Sequence, residues 1–236
     1  AFRRALGRLQ SIVCGGEHFP GDLLATLKLY TKAQIYNQYG PSETTVGVSI
    51  KLLNDAQKIT AGKPLPNCRF YVLDAHRQPL PVGIPGELYI GGLCVGKGYF
   101  GAPSLDAERF FKSPFEPGER LYKTGDTARW TPDGEIVLMG RIDTQVKLRG
   151  LRIETDEVAA RIAAYPSVRQ AFVQKVCRNG GEFLAAWYTA DEPVSESDLL
   201  AFAVSYLPAY MLPACFIRLD QMPLTANGKV DAARLP

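Results

Sequence analysis

The stretch Gly140–Glu154, GRIDTQVKLRGLRIE, separates two parts of this chain that differ in their sequence patterns. Apolar and polar residues alternate along residues 144–150, TQVKLRG, which predicts a β-hairpin with one charged face. The same lysine and arginines would also suit a solvated sheet edge, where charges deter aggregation. Because no low-complexity linker occurs here, we predict a tight hinge within residues 140–146.

The residues before this stretch predict an α/β segment followed by a β-rich segment. SIVC at residues 11–14 and AQIY at residues 33–36 are short strand candidates on either side of a helix at Asp22–Tyr30. Further along, RFYVLD, GELYIGG, RLYKTGD and EIVLMG are strand candidates separated by proline and glycine turns. We expect these four to form a twisted sheet or a small distorted barrel.

The residues after the stretch predict a compact α+β unit. Thr155 can cap a helix TDEVAARIAAY, and Ser195 with Asp198 can open a second helix. Strand candidates are QAFVQKV, FLAAWYTA and CFIRL, and a turn is expected at Asn227-Gly228.

Composition and charge exclude several classes of protein. The 236 residues are 46% hydrophobic and 22% charged, and 27 basic against 24 acidic residues leave a net charge of only +3. We therefore expect neither nucleic-acid binding nor a membrane span. Five cysteines without C-x-x-C spacing favour free thiols in the cytoplasm. His18 and His76 stand alone in their segments, so we predict no His/Cys metal site.

The segment Asn37–Thr45, NQYGPSETT, offers groups that suit a nucleotide. We expect the preceding strand to end at Tyr36, so that the segment is a loop. Tyr39 could stack on a base, Ser42 could bond phosphate oxygens and Glu43 could hold Mg²⁺. The alternative is an ordinary capped turn, because G-P-S is common turn chemistry.

Two further segments have the same ambiguity. In YKTGD, Asp126 follows a glycine turn and could accept both hydroxyls of a ribose, or it could simply close the turn. In Asn227-Gly228-Lys229, the lysine could be a mobile point charge for a phosphate, or part of a hairpin loop.

The motifs taken together resemble a known family. IVCGGE, NQYGPSETT, GELYIGG with GKGY, YKTGD, GRIDTQVKLRGLRIE, LPAYMLP and NGKVD occur in this order. The series resembles the adenylation domains of nonribosomal peptide synthetases, within the superfamily of acyl-CoA synthetases and luciferases. The resemblance implies that residues 1–142 are the C-terminal part of an adenylation core domain, and that residues 143–236 are its small mobile subdomain, with Asp143 as the hinge.

The activity implied by the resemblance is ATP-dependent formation of an aminoacyl-adenylate, followed by transfer to the phosphopantetheine thiol of a peptidyl carrier protein. The alternatives are an acyl- or aryl-CoA ligase of the same superfamily and a non-catalytic surface for docking a carrier protein. The family's phosphate loop and the aspartate for the amino group would precede Ala1. We therefore expect a fragment that lacks the N-terminal part of the domain and is inactive when isolated.

The resemblance assigns a nucleotide site. Asn37 and Tyr39 would contact adenine, Ser42 the phosphate, Asp126 the ribose hydroxyls and Arg141 the ribose or phosphate. The full set implied is Asn37, Tyr39, Gly40, Ser42, Asp126 and Arg141.

The resemblance also assigns the catalytic groups. Glu43 would bind Mg²⁺, and Lys229 would bridge the substrate carboxylate and the α-phosphate. For thioester formation, rotation at Asp143 would bring the hairpin residues Lys147 and Gly150 to the site. The side-chain pocket for the amino acid would be lined by Ile12, Cys14, Gln38, Val46 and Gly47.

Overall fold

The computed structural model describes residues 2–178 and 180–236. The chain divides into two compact units, Ala1–Asp143 and Thr144–Pro236. The predicted fold class, α/β followed by α+β, is confirmed by the secondary structure of the two units. No helix among the described residues is both long and apolar enough to cross a membrane.

The first unit is built on two sheets. One sheet has the order β1-β2-β3-β4, and the other has the order β5-β6-β8-β7, with β9 paired to β8. No closed barrel is formed by the part of this unit that the structure describes. Its helices and strands are α1 (Phe2–Leu6), β1 (Ser11–Gly15), α2 (Gly21–Tyr30), β2 (Gln34–Tyr39), a 3₁₀ turn (Ser42–Thr44), β3 (Ser49–Leu52), β4 (Lys63–Pro64), β5 (Cys68–Leu73), β6 (Gly86–Gly92), α3 (Pro103–Arg109), β7 (Phe110–Lys112), β8 (Arg120–Trp130) and β9 (Ile136–Arg141).

Strand β2 is longer than the sequence predicts, and this changes the character of the nucleotide motif. The prediction that the strand ends at Tyr36 is wrong, because β2 continues to Tyr39. Its last four residues pair antiparallel with β3, with Tyr39 opposite Ser49. These backbone hydrogen bonds come from a strand ten or more residues further along the chain, so local propensity could not indicate them.

The two sheets of the first unit share a hydrophobic core. Tyr39 of the first sheet and Val48, which directly precedes β3, pack with Val72, Leu88 and Ile136 of the second sheet. Val48, Leu88 and Ile136 are fully buried, and burial of such side chains stabilises a fold by about 1.5–3 kcal/mol each. This shared core fixes the end of β2 beside strands β8 and β9.

The second unit is a three-stranded sheet covered by helices, together with a hairpin. The sheet has the order β12-β13-β14, with β12 antiparallel and β14 parallel to β13. Its elements are β10 (Val146–Leu148), β11 (Leu151–Ile153), α4 (Thr155–Ala163), β12 (Val168–Arg178), β13 (Gly181–Ala190), α5 (Glu196–Val204), a 3₁₀ turn (Ala209–Met211), β14 (Cys215–Arg218) and a last 3₁₀ turn (Ala232–Arg234).

The caps of the two longer helices of this unit differ in how well the sequence indicates them. Ser195 caps α5 as predicted, because its hydroxyl accepts the Asp198 backbone N–H at 3.1 Å. Thr155 is not the cap of α4. It lies inside the helix after Glu154, and its hydroxyl donates to the Thr144 carbonyl at 2.8 Å. Its side chain is buried, so a tertiary hydrogen bond replaces the local one.

Candidate active site

The centre of the candidate site is the carboxylate of Asp126 on strand β8. The β8–β9 register places Asp126 directly opposite Arg141. One guanidinium nitrogen of Arg141 donates to Oδ1 of Asp126 at 2.6 Å, and the Tyr39 hydroxyl donates to Oδ2 at 2.5 Å. Each carboxylate oxygen therefore has one protein donor, and each keeps a further lone-pair direction for a ligand hydroxyl.

Arg141 joins Asp126 to the last residue of the first unit. Its Nε and a second terminal nitrogen donate to the two oxygens of Asp143 at 2.6 and 2.8 Å, and it also donates to the Thr124 carbonyl at 3.0 Å. Arg109 lies 3.5 Å from Asp143. The two hydrogen bonds from Arg141 to the Asp143 carboxylate fix the plane of the Arg141 guanidinium. Two carboxylates and two guanidinium groups thus form a nearly neutral cluster.

Gly125 makes room for this cluster. Its φ is +76°, and a Cβ at this position would lie 2.6 Å from Oδ2 of Asp143 and 2.8 Å from Arg141. A side chain here would meet both strain and overlap. The glycine of YKTGD is therefore required by the backbone conformation and by the close approach of the Asp143 carboxylate.

Tyr39 is fixed from both ends of its ring. Only 7% of the residue is exposed, and its ring packs edge-on against Phe70 at a centroid distance of 6.4 Å. Burial and the neighbouring Asp126 carboxylate raise the pKa of the phenol well above its ordinary value. Tyr39 therefore remains a hydrogen-bond donor to Asp126 at all physiological pH values.

The loop after Tyr39 is held in an unusual conformation. Thr45 and Val46 have φ values of +65° and +67°, which are rare for β-branched residues. A Cβ on Gly40 would lie 2.1 Å from the Val46 carbonyl, and a Cβ on Gly47 would overlap the amide nitrogen of Gln38. Two β-branched residues held in succession at positive φ indicate a loop whose shape is imposed by its surroundings, as is common at functional sites.

Glu43 lies in the 3₁₀ turn of this loop, and Tyr99 holds its carboxylate. The Tyr99 hydroxyl donates to Oε1 of Glu43 at 2.6 Å. No group of three or more His, Cys, Asp or Glu side chains that could hold a metal occurs among residues 2–178 and 180–236. Glu43 therefore offers a single carboxylate. This fits Mg²⁺, which is usually bound by one or two carboxylates together with substrate phosphates and water.

The remaining motif residues near this loop have different surroundings. The side-chain amide of Asn37 donates to the Thr60 carbonyl at 2.8 Å, and that contact fixes its orientation. Ser42 is exposed at the start of the 3₁₀ turn. Thr44 is buried, and its hydroxyl donates to the Pro41 carbonyl at 3.2 Å.

Comparison with known proteins gives a consistent family. Residues 1–100 match the family described as AMP-binding enzyme. The chain is 43% identical over 235 residues to tyrocidine synthase 3 of Brevibacillus parabrevis, covering 97% of this chain and 4% of that protein. It is 41% identical over 235 residues to bacitracin synthase 3 of Bacillus licheniformis, covering 97% of this chain and 4% of that protein.

A solved structure agrees with these relatives. Holo-PA1221, a nonribosomal peptide synthetase protein containing adenylation and PCP domains bound to a vinylsulfonamide inhibitor, is 28% identical, with a TM-score of 0.83 over 98% of this chain and 41% of that one. Over residues 1–100 the chain resembles the AMP-binding enzymes. Its predicted resemblance to the adenylation domains of nonribosomal peptide synthetases is confirmed. It spans less than a tenth of the length of the two curated relatives.

The residues predicted to line a side-chain pocket do not all lie together. Gln38 packs on Gly47, while Val46 is 66% exposed. Cys14 packs in the cluster beneath α2, with Phe19, Leu24 and Leu53.

Residue alternation along β1 and β2 explains this separation. Ile12 lies two residues before Cys14, on the same face of β1. Gln38 is opposite Gly15 in the parallel pairing, so its side chain lies on the other face from Cys14. Of the predicted pocket residues, Gln38 and Gly47 are in contact, and Val46 adjoins Gly47 in the same loop.

The predicted catalytic and thioester residues of the second unit lie on turns. Lys229 is exposed at the end of the turn that Thr225 closes with it, through a backbone bond of 2.7 Å. It forms no ion pair with any acidic side chain of the described part of the chain. Lys147 is opposite Arg152 in the β10–β11 hairpin, and Gly150 has a φ of +78° in its turn.

Several residues of the site are not indicated by the sequence motifs. Tyr99 occurs in the GKGY motif, but the motif by itself predicts no role for it. Thr124 contributes in two ways: its hydroxyl donates to the Leu88 carbonyl at 2.7 Å and accepts the Asp126 N–H at 3.0 Å. No local pattern indicates Thr60, because its contact with Asn37 spans 23 positions. Only the place of T-G-D at the end of a strand candidate could have drawn attention to Thr124.

Proposed function

We propose that the chain is part of an enzyme that activates an amino acid with ATP as an aminoacyl-adenylate. The enzyme then transfers the aminoacyl group to the phosphopantetheine thiol of a peptidyl carrier protein. The observation that carries this proposal is the Asp126 carboxylate, which is oriented by Tyr39 on one oxygen and by Arg141 on the other. A carboxylate oriented in this way suits the two adjacent hydroxyls of a ribose.

We assign a role in nucleotide binding to each motif residue of the first unit. We assign the adenine to the end of β2 at Asn37 and Tyr39, with Tyr39 acting also through Asp126. Ser42 and Gly40 lie in the turn that follows, where an exposed hydroxyl and backbone groups suit a phosphate. Arg141 has the donors to contact the ribose or phosphate once a nucleotide competes with Asp143.

The reaction joins two anions, a carboxylate and a triphosphate, so charge neutralisation is its main requirement. Mg²⁺ bound to Glu43 and phosphate oxygens would supply Lewis-acid stabilisation of the charge. Lys229 would supply an ammonium group for the substrate carboxylate and the α-phosphate. Its support is its place on an exposed turn without an acidic partner among the described residues.

We propose that thioester formation uses the second unit differently. Asp143, the last residue of the first unit, would be the pivot, and Lys147 with Gly150 would serve the step in which the carrier thiol reacts. The antiparallel β10–β11 hairpin supports this assignment, because it presents the basic residues Lys147 and Arg152 at opposed positions of two short strands.

The test is amino-acid-dependent exchange of pyrophosphate into ATP, measured with the full-length protein. Lys229→Ala should lower the exchange rate by about 100-fold or more. The matched control is Lys175→Ala, which removes a lysine of the same unit that pairs with Glu182 at 2.8 Å. It should leave the rate nearly unchanged.

The second half of the test follows the acyl group. Loading of a phosphopantetheinylated carrier domain, with no loading of free CoA, would support the proposal. Equal use of free CoA would instead indicate a CoA ligase. If the full-length protein binds the carrier but no amino acid supports exchange of pyrophosphate into ATP, the chain is part of a docking module and the proposal is overturned.

A further inference from the structure

The segment Cys94–Tyr99 is attached to the acidic loop, residues 42–45, at three points. The Gly96 N–H donates to the Glu43 carbonyl at 2.8 Å, and the Thr45 hydroxyl donates to the Cys94 carbonyl at 2.9 Å. The third contact is the bond of 2.6 Å from the Tyr99 hydroxyl to the Glu43 carboxylate. Gly96 allows this close approach, because a Cβ there would lie 3.0 Å from the Glu43 carbonyl oxygen.

Tyr99 is itself firmly placed. Its backbone N–H donates to Oδ1 of Asp106 at 2.6 Å, and its ring packs edge-on against Phe110 at 5.5 Å. Gly98 has a φ of +130°, and a Cβ there would overlap the Asp106 carboxylate. The N-terminal half of α3 therefore fixes the backbone from which the phenol reaches Glu43.

We propose that Tyr99 is a positioning residue for the metal-binding carboxylate of Glu43, with Asp106 as the anchor of Tyr99. This inference rests on the proposed role of Glu43 in Mg²⁺ binding. A hydrogen bond from Tyr99 to Oε1 restricts rotation of the carboxylate and selects the direction in which its oxygens face a cation. Ligand carboxylates that lose such a partner typically lose about 10- to 100-fold in metal affinity or activity.

The experiment is a titration of Mn²⁺ into the full-length protein with a non-hydrolysable ATP analogue, with free Mn²⁺ measured by electron paramagnetic resonance. Tyr99→Phe keeps the ring that packs on Phe110 and removes the hydroxyl. It should raise the apparent Kd for Mn²⁺ by about 10-fold, with little change in melting temperature. Asp106→Ala keeps the Tyr99 phenol but removes the carboxylate that accepts the Tyr99 backbone N–H. It should change the Kd in the same direction.

The matched control is Tyr89→Phe. Tyr89 also donates from its hydroxyl to a glutamate in the same unit, Glu87, at 3.0 Å. Removing that hydroxyl should leave the Kd for Mn²⁺ unchanged, because Glu87 lies on β6 and outside the acidic loop.

Glu43→Gln separates the two proposals. If Glu43→Gln weakens Mn²⁺ binding while Tyr99→Phe and Asp106→Ala do not, the positioning role is overturned and the metal role of Glu43 stands. If Glu43→Gln also leaves the Kd unchanged, the metal role itself is wrong, and the role of Tyr99 fails with it.

Discussion

The hydroxyl of Tyr39 donates a hydrogen bond of 2.5 Å to the carboxylate of Asp126, although the two residues are 87 positions apart in the sequence. Tyr39 ends a strand of the first sheet and Asp126 lies on a strand of the second. The bond therefore joins the two sheets at the point where two separate motifs meet. It turns two ambiguous turn-like segments into one candidate binding site.

Replacing Tyr39 by Phe should weaken nucleotide binding and destabilise the first unit. The ring contact with Phe70 is kept, but the Asp126 carboxylate loses one of its two donors. A hydrogen bond to a charged group contributes about 1.5–3 kcal/mol, so AMP affinity should fall by about 10-fold or more. Isothermal titration of AMP into the full-length protein measures this change, and unaltered affinity would show that Tyr39 does not act through Asp126.

Tyr39 also predicts a loss of stability at alkaline pH. Its folded-state pKa is raised above the ordinary value of 10.0, because burial and Asp126 disfavour the phenolate. The folded state therefore holds this proton more tightly, and its contribution is complete below pH 10. It declines as the pH rises from about 10 towards the raised pKa. Urea unfolding of wild type and Tyr39→Phe between about pH 8 and 11 should show a steeper decline for wild type.

Gly125→Ala should be more damaging than the same change in an open turn. The alanine Cβ would meet the Asp143 carboxylate and the Arg141 guanidinium, and it would also force a positive φ on a non-glycine residue. We expect a loss of about 2–4 kcal/mol in the free energy of unfolding, together with weaker AMP binding.

Gly134→Ala is the control for Gly125→Ala. Gly134 has a φ of +73°, close to that of Gly125, but a Cβ there would have no heavy atom within 4 Å. Gly134→Ala should therefore lower the free energy of unfolding only by the backbone strain, about 1 kcal/mol, and should leave AMP binding unchanged. Equal losses for the two variants would mean that the approach of Asp143 to Gly125 is unimportant.

The lowered pKa of Glu135 in the folded state predicts that the protein loses stability at acidic pH. Burial alone would raise its pKa, but hydrogen bonds from Lys51 and Thr60 outweigh burial, so the folded-state pKa lies below the ordinary value of 4.5. The folded state therefore favours the carboxylate, and this contribution is complete above about pH 5. It is lost as the pH falls through the lowered pKa. Glu135→Gln should flatten the acid side of the stability curve, measured by urea unfolding from about pH 7 to 3.

An exposed ion pair gives the comparison for Glu135. Arg169 and Asp191 pair on the surface with side chains 70% and 53% exposed, whereas the Glu135 side chain is 14% exposed. Because solvent screens exposed pairs, Asp191→Asn should change stability by less than about 1 kcal/mol at neutral pH. At acidic pH the free energy of unfolding of this variant should change with pH as it does in wild type. An equal flattening in both variants would contradict the role of the Lys51–Glu135–Thr60 contacts.

The cysteines should differ in their rates of alkylation. Burial and the neighbouring Cys68 thiol raise the pKa of Cys94 from 9.0 to about 12, while Cys177 is exposed on β12. Because the thiolate is the reactive form, such a shift reduces the reactive fraction of Cys94 by about a thousandfold at a fixed pH. Iodoacetamide at about pH 8 followed by peptide mass spectrometry should label Cys177 first and Cys94 only after denaturation. Labelling of Cys94 at the rate of Cys177 would show that the thiol is not protected.

The sequence by itself determined the elements that depend on near neighbours, and it indicated the family resemblance. The predicted strand GELYIGG coincides with β6, and Ser195 caps α5 because cap, turn and alternation patterns involve residues a few positions apart. The order of the motifs indicated the adenylation family without any coordinates. The roles of Lys229 and Asp143 follow from that family resemblance and remain predictions.

Tertiary structure alone decided which side chains meet. The extension of β2 to Tyr39, the hydrogen bond of Thr155 to Thr144 and the contact of Tyr99 with Glu43 all depend on distant partners. Likewise, Cys14 packs under α2 because strand alternation assigns it to that face. Hydrogen bonds and burial between distant residues are set by strand register and core packing, which local propensity does not encode.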